Sequence, residues 1–255
     1  MFLQILSLAS VATAILPSPP QHIFSNPADT SNIHSTFQIP TAYESAVLGR
    51  RILHLSSLAT LSTIFPSPNH ASETLEQRPS GLGGMPIGLM DYIADCEDTG
   101  NPTILAINIA TSFKNAAAGS NTSLSLQWTP PHPPAKRISS LPTLPYSAAN
   151  LPRFSILGYL EKMEDTEALR KCFVETHPDA KYWLPGNQIH RSEWVRLVVQ
   201  DIYWVGGFGD RAYIGWIDAS DWSNVTKEEW EEVRLPGEKE GWKEWAVDSL
   251  REWEL

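Results

Sequence analysis

The stretch Val198 to Trp216, VVQDIYWVGGFGDRAYIGW, constrains the fold more than any other part of the chain. Two apolar, aromatic runs, Val198 to Val205 and Arg211 to Ile217, flank Gly206-Gly207-Phe208-Gly209-Asp210. Three glycines in four residues are too many for a helix interior and suit a turn, because glycine takes positive φ at no steric cost. The segment therefore predicts a β-hairpin. Its bare N–H groups can approach an anion or a ring. A tight turn packed under aromatics satisfies the same pattern, and spacing does not choose between the two.

The rest of the chain reads as short strands with few helices. Tyr43, Val47, Leu48, Ile52 and Leu55 recur at helical spacing, with Thr41 and Glu44 placed as a capping box. Strands are predicted over Leu58 to Phe65, Met85 to Asp91, Thr103 to Ala110, Leu124 to Trp128, Arg153 to Met163 and Trp194 to Trp204. Asp98-Thr99-Gly100-Asn101 turns the second of these into the third, and TSFKNAAAGSNTS, from Thr111, reads as a polar loop. The run after Met163 predicts a short helix capped by Asp165 and closed by Pro178, before a compact aromatic loop. Pro66 to Gly83 and the proline-rich Thr129 to Pro152 read as irregular insertions. Six or more closely spaced strands imply a mainly β fold, an antiparallel barrel with flanking helices.

Charge and termini bound the function. The formal charge of -10 argues against a nucleic-acid partner, which needs a basic face. Ten acidic and five basic residues after Val225 put half of that excess in the last segment, so 224–255 reads as an acidic, Trp-rich helical tail with Trp242, Trp245 and Trp253 at roughly helical spacing. The opening MFLQILSLASVATAIL is apolar and uncharged, and Ala12-Thr13-Ala14 offers a small-x-small cleavage pattern. We read 1–14 as a secretory signal, against a buried strand or a membrane anchor, and 15–40 as a Pro/Ser-rich linker. No membrane segment is expected after cleavage. Asn121 and Asn224 begin N-glycosylation sequons. Cys96 and Cys172 can pair in an oxidising compartment or remain buried thiols.

Local catalytic signatures are missing: the sequence holds no GxSxG, Walker A, HExxH or CxxC motif. His177 and His190 flank Asp179, yet a His-Pro turn explains them better than a metal site, and no metal is expected. Ser112-Phe113-Lys114-Asn115 crowds a hydroxyl, an ammonium and an amide, which can hold a phosphate or simply be solvated.

Several of these pieces, in this order, resemble the pyridoxamine 5′-phosphate-oxidase-like FMN-binding split-barrel family, and more closely its CREG-type branch of secreted and lysosomal glycoproteins. The resemblance is carried by LATLSTI at Leu58 to Ile64, D-x-G-N-P-T at Asp98 to Thr103, S-x-K at Ser112 to Lys114 leading to Ser123-Leu124, HPDAKYW at His177 to Trp183, and WVGGFGDRAY from Trp204. It spans about Ala42 to Trp222, which sets a barrel domain at 41–223. It implies a six-stranded antiparallel split barrel, a homodimer, and a flavin cleft where two copies meet. There Ser112, Lys114 and Asn115 would face the FMN phosphate, Ala59 and Thr60 the ring, and Trp204, Gly206, Gly207, Phe208, Gly209 and Arg211 would form a cleft loop. Haem-handling relatives place a histidine in the loop before Asn115; this chain has Ser112 there, leaving His190 as the axial candidate.

Two readings follow. In one, a secretory-pathway split-barrel protein keeps an FMN pocket and acts as a flavin module or a flavin-dependent oxidoreductase, its substrate unassigned. In the other, a secreted or vacuolar CREG-type glycoprotein has lost the flavin, its cleft filled by the insertions at Pro66 to Gly83 and Thr129 to Pro152, and works as a binding protein for a small-molecule or protein ligand.

Overall fold

The structure is a computed structural model that describes residues 39–67, 78–79, 81–133, 136–138, 141–144, 147–209 and 212–240. The signal at 1–14, nearly all of the linker at 15–40, Arg211, and Trp242, Trp245 and Trp253 lie outside the described residues.

Helix α1, Ala42–Leu55, starts where the sequence predicts. Thr41 Oγ1 accepts from the Glu44 amide at 3.1 Å and Glu44 Oε2 accepts from the Thr41 amide at 2.7 Å. Its buried side, including Ala46, Ile52 and Leu53, lies on a barrel built from β1 (Leu58–Ile64), β2 (Pro86–Ala94), β3 (Thr103–Ile107), β4 (Thr122–Gln127), β7 (Arg153–Lys162) and β8 (Ser192–Val205). These strands follow the order β3-β2-β1-β4-β7-β8, all antiparallel, and β3 pairs with β8 from Thr103↔Arg196 to Ile107↔Ser192, which closes the barrel. Closure removes the exposed edges that an open sheet would present.

A seventh strand, β9 (Ile214–Asp218), pairs with β8 outside the closed barrel. It forms with β8 the hairpin read from Val198 to Trp216. Period-2 alternation sets the two faces: Ala59, Leu61 and Thr63 of β1 are buried, while Leu58, Thr60 and Ile64 are exposed.

Three local readings need correction. Thr111–Ala117, expected as part of a polar loop, is helix α2, buried through Ser112, Phe113 and Asn115. The alanines after Asn115 favour the helix, and Gly119 at φ +91° follows its end. The insertion at Thr129 to Pro152 is not wholly irregular, because β5 (Lys136–Ile138) and β6 (Leu141–Leu144) pair within it. In α3, Glu167–Thr176, the cap is Thr166, whose hydroxyl accepts from the Leu169 amide at 3.2 Å. Asp165 instead accepts from Arg170 Nε at 2.7 Å and from the Trp194 indole at 2.9 Å, and these donors hold its carboxyl below the usual range. The core also draws on residues past 223. Helices α4 (Ala219–Asn224) and α5 (Lys227–Glu232) send Trp222 and Trp230 into the same core as the barrel, joined by Val225 between them and Leu235 after α5.

A second apolar cluster, on the outside of the barrel under α3, joins Ala94, Leu105, Leu169, Phe173, Ala180 and Trp194. The Cys96–Cys172 disulfide, with Cα atoms 5.9 Å apart, ties α3 to the end of β2. Among the described residues no helix is long and apolar enough to cross a membrane.

Candidate functional site

Helix α2 lies against β1, and this contact decides what the expected phosphate ligands can do. Ser112 is 1% exposed and Asn115 3% exposed. Asn115 Nδ2 donates to Thr63 Oγ1 at 3.1 Å, which engages one of its amide donors on the inward face of β1. Lys114 is half-buried on the same helix and already has an interaction partner. A phosphate needs several convergent N–H and O–H donors reachable from solvent. Ser112 and Asn115 have little surface to offer one, which leaves Lys114 as the most accessible member of the set.

The residues expected beside a flavin ring separate as well. Ala59 is buried in the barrel, whereas Thr60 stands on the outward face. Thr60 belongs to a strip of small polar residues running across the strands, in register with Ser125 of β4, which pairs with Ser155 of β7, which pairs with Tyr203 of β8, which pairs with Trp216 of β9. The Ser125 and Ser155 hydroxyls are 3.1 Å apart. The strip is bordered by exposed Met90, Thr60's partner in β2, and by Trp216, 55% exposed, whose ring meets Tyr203 edge-on at 5.1 Å.

The glycine turn is explained by packing. A Cβ on Gly206 would lie 2.8 Å from the Trp204 indole nitrogen, and one on Gly207, at φ +150°, 3.0 Å from the Asn150 carbonyl oxygen. Trp204 is itself buried, while Phe208 is exposed. Both glycines are therefore needed to seat the hairpin turn on an aromatic core. His190 sits in a turn organised by Asn187, whose Oδ1 accepts from the His190 amide at 2.9 Å, and its residue is exposed. His177 is buried, its Nε2 2.8 Å from the Ile93 carbonyl oxygen and its ring stacked on Tyr92 at 4.2 Å. That is a packed core histidine. Among the described residues no group of three or more His, Cys, Asp or Glu is placed to hold a metal ion.

The structure also gathers a polar groove that the sequence did not point to. It is lined by Glu97, Asp98, Thr99 and Asn101 of the β2–β3 turn, by Tyr159 and Glu161 of β7, and by Arg196 and Val198 of β8. Arg196 reaches Glu161 through Nε at 2.7 Å and Glu97 through Nη1 at 2.6 Å, and these two hydrogen bonds raise its pKa further above the usual guanidinium value. Asp98, Thr99 and Asn101 fall in the D-x-G-N-P-T turn, but no local signal joins that turn to Tyr159, Glu161, Arg196 and Val198.

Comparison with known proteins supports the architecture. The family model described as CREG, beta-barrel matches residues 40–224. One solved structure aligns with TM-score 0.51 at 22% identity, over 73% of this chain and 100% of its own. A heme binding protein from Mycobacterium smegmatis aligns at 0.48 and 19% identity, and the protein Atu2129, of unknown function, from Agrobacterium tumefaciens at 0.48 and 18%; each covers 73% of this chain. The chain spans 61% and 63% of those two. No curated protein matches it. At such identities the likeness to solved structures is one of fold alone.

Proposed function

Because the chain belongs to the CREG β-barrel family, we propose that it is a non-catalytic split-barrel binding protein that works as a pair of copies, in preference to a flavin-dependent oxidoreductase. One observation carries this reading: two of the three phosphate residues expected from the family resemblance are buried, Ser112 at 1% and Asn115 at 3% exposure, with an Asn115 amide donor engaged by Thr63. A flavin bound through Lys114 alone would lose the convergent hydrogen bonds that make a phosphate site.

The outward strip supports the pairing. Thr60, Ser62, Ser123, Ser125 and Ser155 give a flat centre without long charged side chains, and exposed Met90 and Trp216 stand at its margins. Exposed Met and Trp side chains are enriched at interfaces, and Met90 and Trp216 suit one between copies. The Cys96–Cys172 disulfide supports an oxidising compartment, in keeping with a secreted or vacuolar glycoprotein carrying sugars at Asn121 and Asn224.

The test is a visible absorption spectrum of the purified protein after incubation with FMN and removal of the excess. No retained flavin band is expected. A band that stays with the protein and disappears in Lys114→Ala would overturn the reading and restore the flavin pocket.

A further inference from the structure

We propose that the groove between the β2–β3 turn and the outer faces of β7 and β8 is a carbohydrate-binding site. At about 650 Å³ it falls within the range of small-ligand sites, about 300–1,000 Å³. It lies further along β7 than the serine strip, beyond the bulge between Leu157 and Gly158, and a single copy of the chain supplies all of it.

Its chemistry favours a neutral ligand rich in hydroxyl groups. Donors and acceptors alternate over a short span: the Arg196 guanidinium, the Glu161 and Asp98 carboxylates, the Thr99 hydroxyl and the Asn101 amide. A sugar hydroxyl both donates and accepts, so such a mixed wall satisfies it from either side. The wall is also fixed in place. Arg196 is held by Glu97 and Glu161, and Asn101 accepts from the Val199 amide at 3.0 Å while donating to Thr99 Oγ1 at 2.9 Å. Held side chains lose little freedom on binding. Tyr159, 49% exposed, offers a ring against which the C–H face of a pyranose can pack. Three carboxylates against one guanidinium exclude phosphate, sulfate and other anions.

Saturation-transfer NMR on the intact, purified protein tests this with methyl α-mannoside, cellobiose and N,N′-diacetylchitobiose at millimolar concentration, and with spermidine as a cationic probe. Ring protons of at least one saccharide should receive saturation. Tyr159→Ala should weaken that saccharide by about three- to tenfold. Asp98→Asn, at an exposed residue, should weaken it as well. Circular dichroism checks that each variant is folded, and both variants keep the protein's own glycans, so these cannot mimic the effect. The proposal is overturned if none of the three saccharides responds, if the response survives both substitutions, or if spermidine alone binds, which would make the groove a cation site.

Discussion

The Arg50 guanidinium lies directly over Gly100, where a Cβ would come within 2.4 Å of Arg50 Nε. Arg50 is 1% exposed and donates to the carbonyl oxygens of Trp222, Val225 and Asp98 at 3.1, 3.3 and 2.8 Å. The Trp222 indole in turn donates to the Gly100 carbonyl at 3.0 Å. One buried cation thus joins α1, the β2–β3 turn and α4. Burial pulls the pKa of this guanidinium down, and the nearby Asp95 and Asp98 charges oppose the shift.

Gly100→Ala should therefore be strongly destabilising. The position has φ +71°, which an L side chain rarely adopts, and the new methyl would displace the guanidinium from its carbonyls. A loss of about 3 kcal/mol or more is expected from strain and broken buried hydrogen bonds together. Urea unfolding measures it, and a loss below about 1 kcal/mol would contradict this account.

The D-x-G-N-P-T turn was legible in the sequence as a turn, but its reason was not. Arg50 stands half a hundred residues before Gly100, and nothing in the periodicity of α1 distinguishes it from an exposed arginine. Local signals succeeded where the partners are neighbours: the Thr41–Glu44 capping box, the β8–β9 hairpin around Gly206 and Gly207, and the alternation of β1. They were misread in α2, where three polar residues outweighed the helix-forming alanines before Gly119. The binding groove was invisible because Glu97, Glu161 and Arg196 meet only once the β2–β3 turn folds against β7 and β8.

Asp91 gives a pH-dependent prediction. It pairs in register with Ala59, and burial pushes its carboxyl up to about 6, opposed in part by the Tyr92 amide that donates to Oδ1 at 2.9 Å. Between the ordinary carboxylate value and about 6, the folded state holds the proton more tightly than the unfolded one. This group's contribution is thus present in acid and lost as pH rises through that window, with no further change above it. Asp91→Asn should match the native protein near pH 4 and exceed it at pH 7 by about 1–3 kcal/mol. Equal stability differences at both pH values would refute the burial argument.

The disulfide closes a sequence separation of 76 residues. In the chain-entropy model such a closure stabilises the fold by about 4 kcal/mol. The double substitution Cys96→Ala, Cys172→Ala should cost a comparable amount. Because Cys172 lies on α3, amides of Glu167–Thr176 should lose hydrogen-exchange protection before those of β7 and β8. Uniform loss of protection would mean that α3 does not depend on the tether.

The serine strip can be tested without touching the core. Ser125 is half-buried at the centre of the outward face, beside Thr60 on one strand and Ser155 on the other. In a single copy an arginine at this position extends into solvent and should change stability by less than about 1 kcal/mol. If two copies pair across this face, the two-fold brings the strip against its own counterpart, and an added cation would be buried near its symmetry mate. Repulsion and desolvation then act together, so Ser125→Arg should convert a dimer into a monomer with an unchanged thermal midpoint at low protein concentration. Light scattering coupled to gel filtration reads the mass directly. A native protein that is already monomeric would refute the pairing, and a Ser125→Arg variant that stays dimeric would move the interface off this face, while the buried Ser112 and Asn115 would continue to argue against a flavin phosphate on independent grounds.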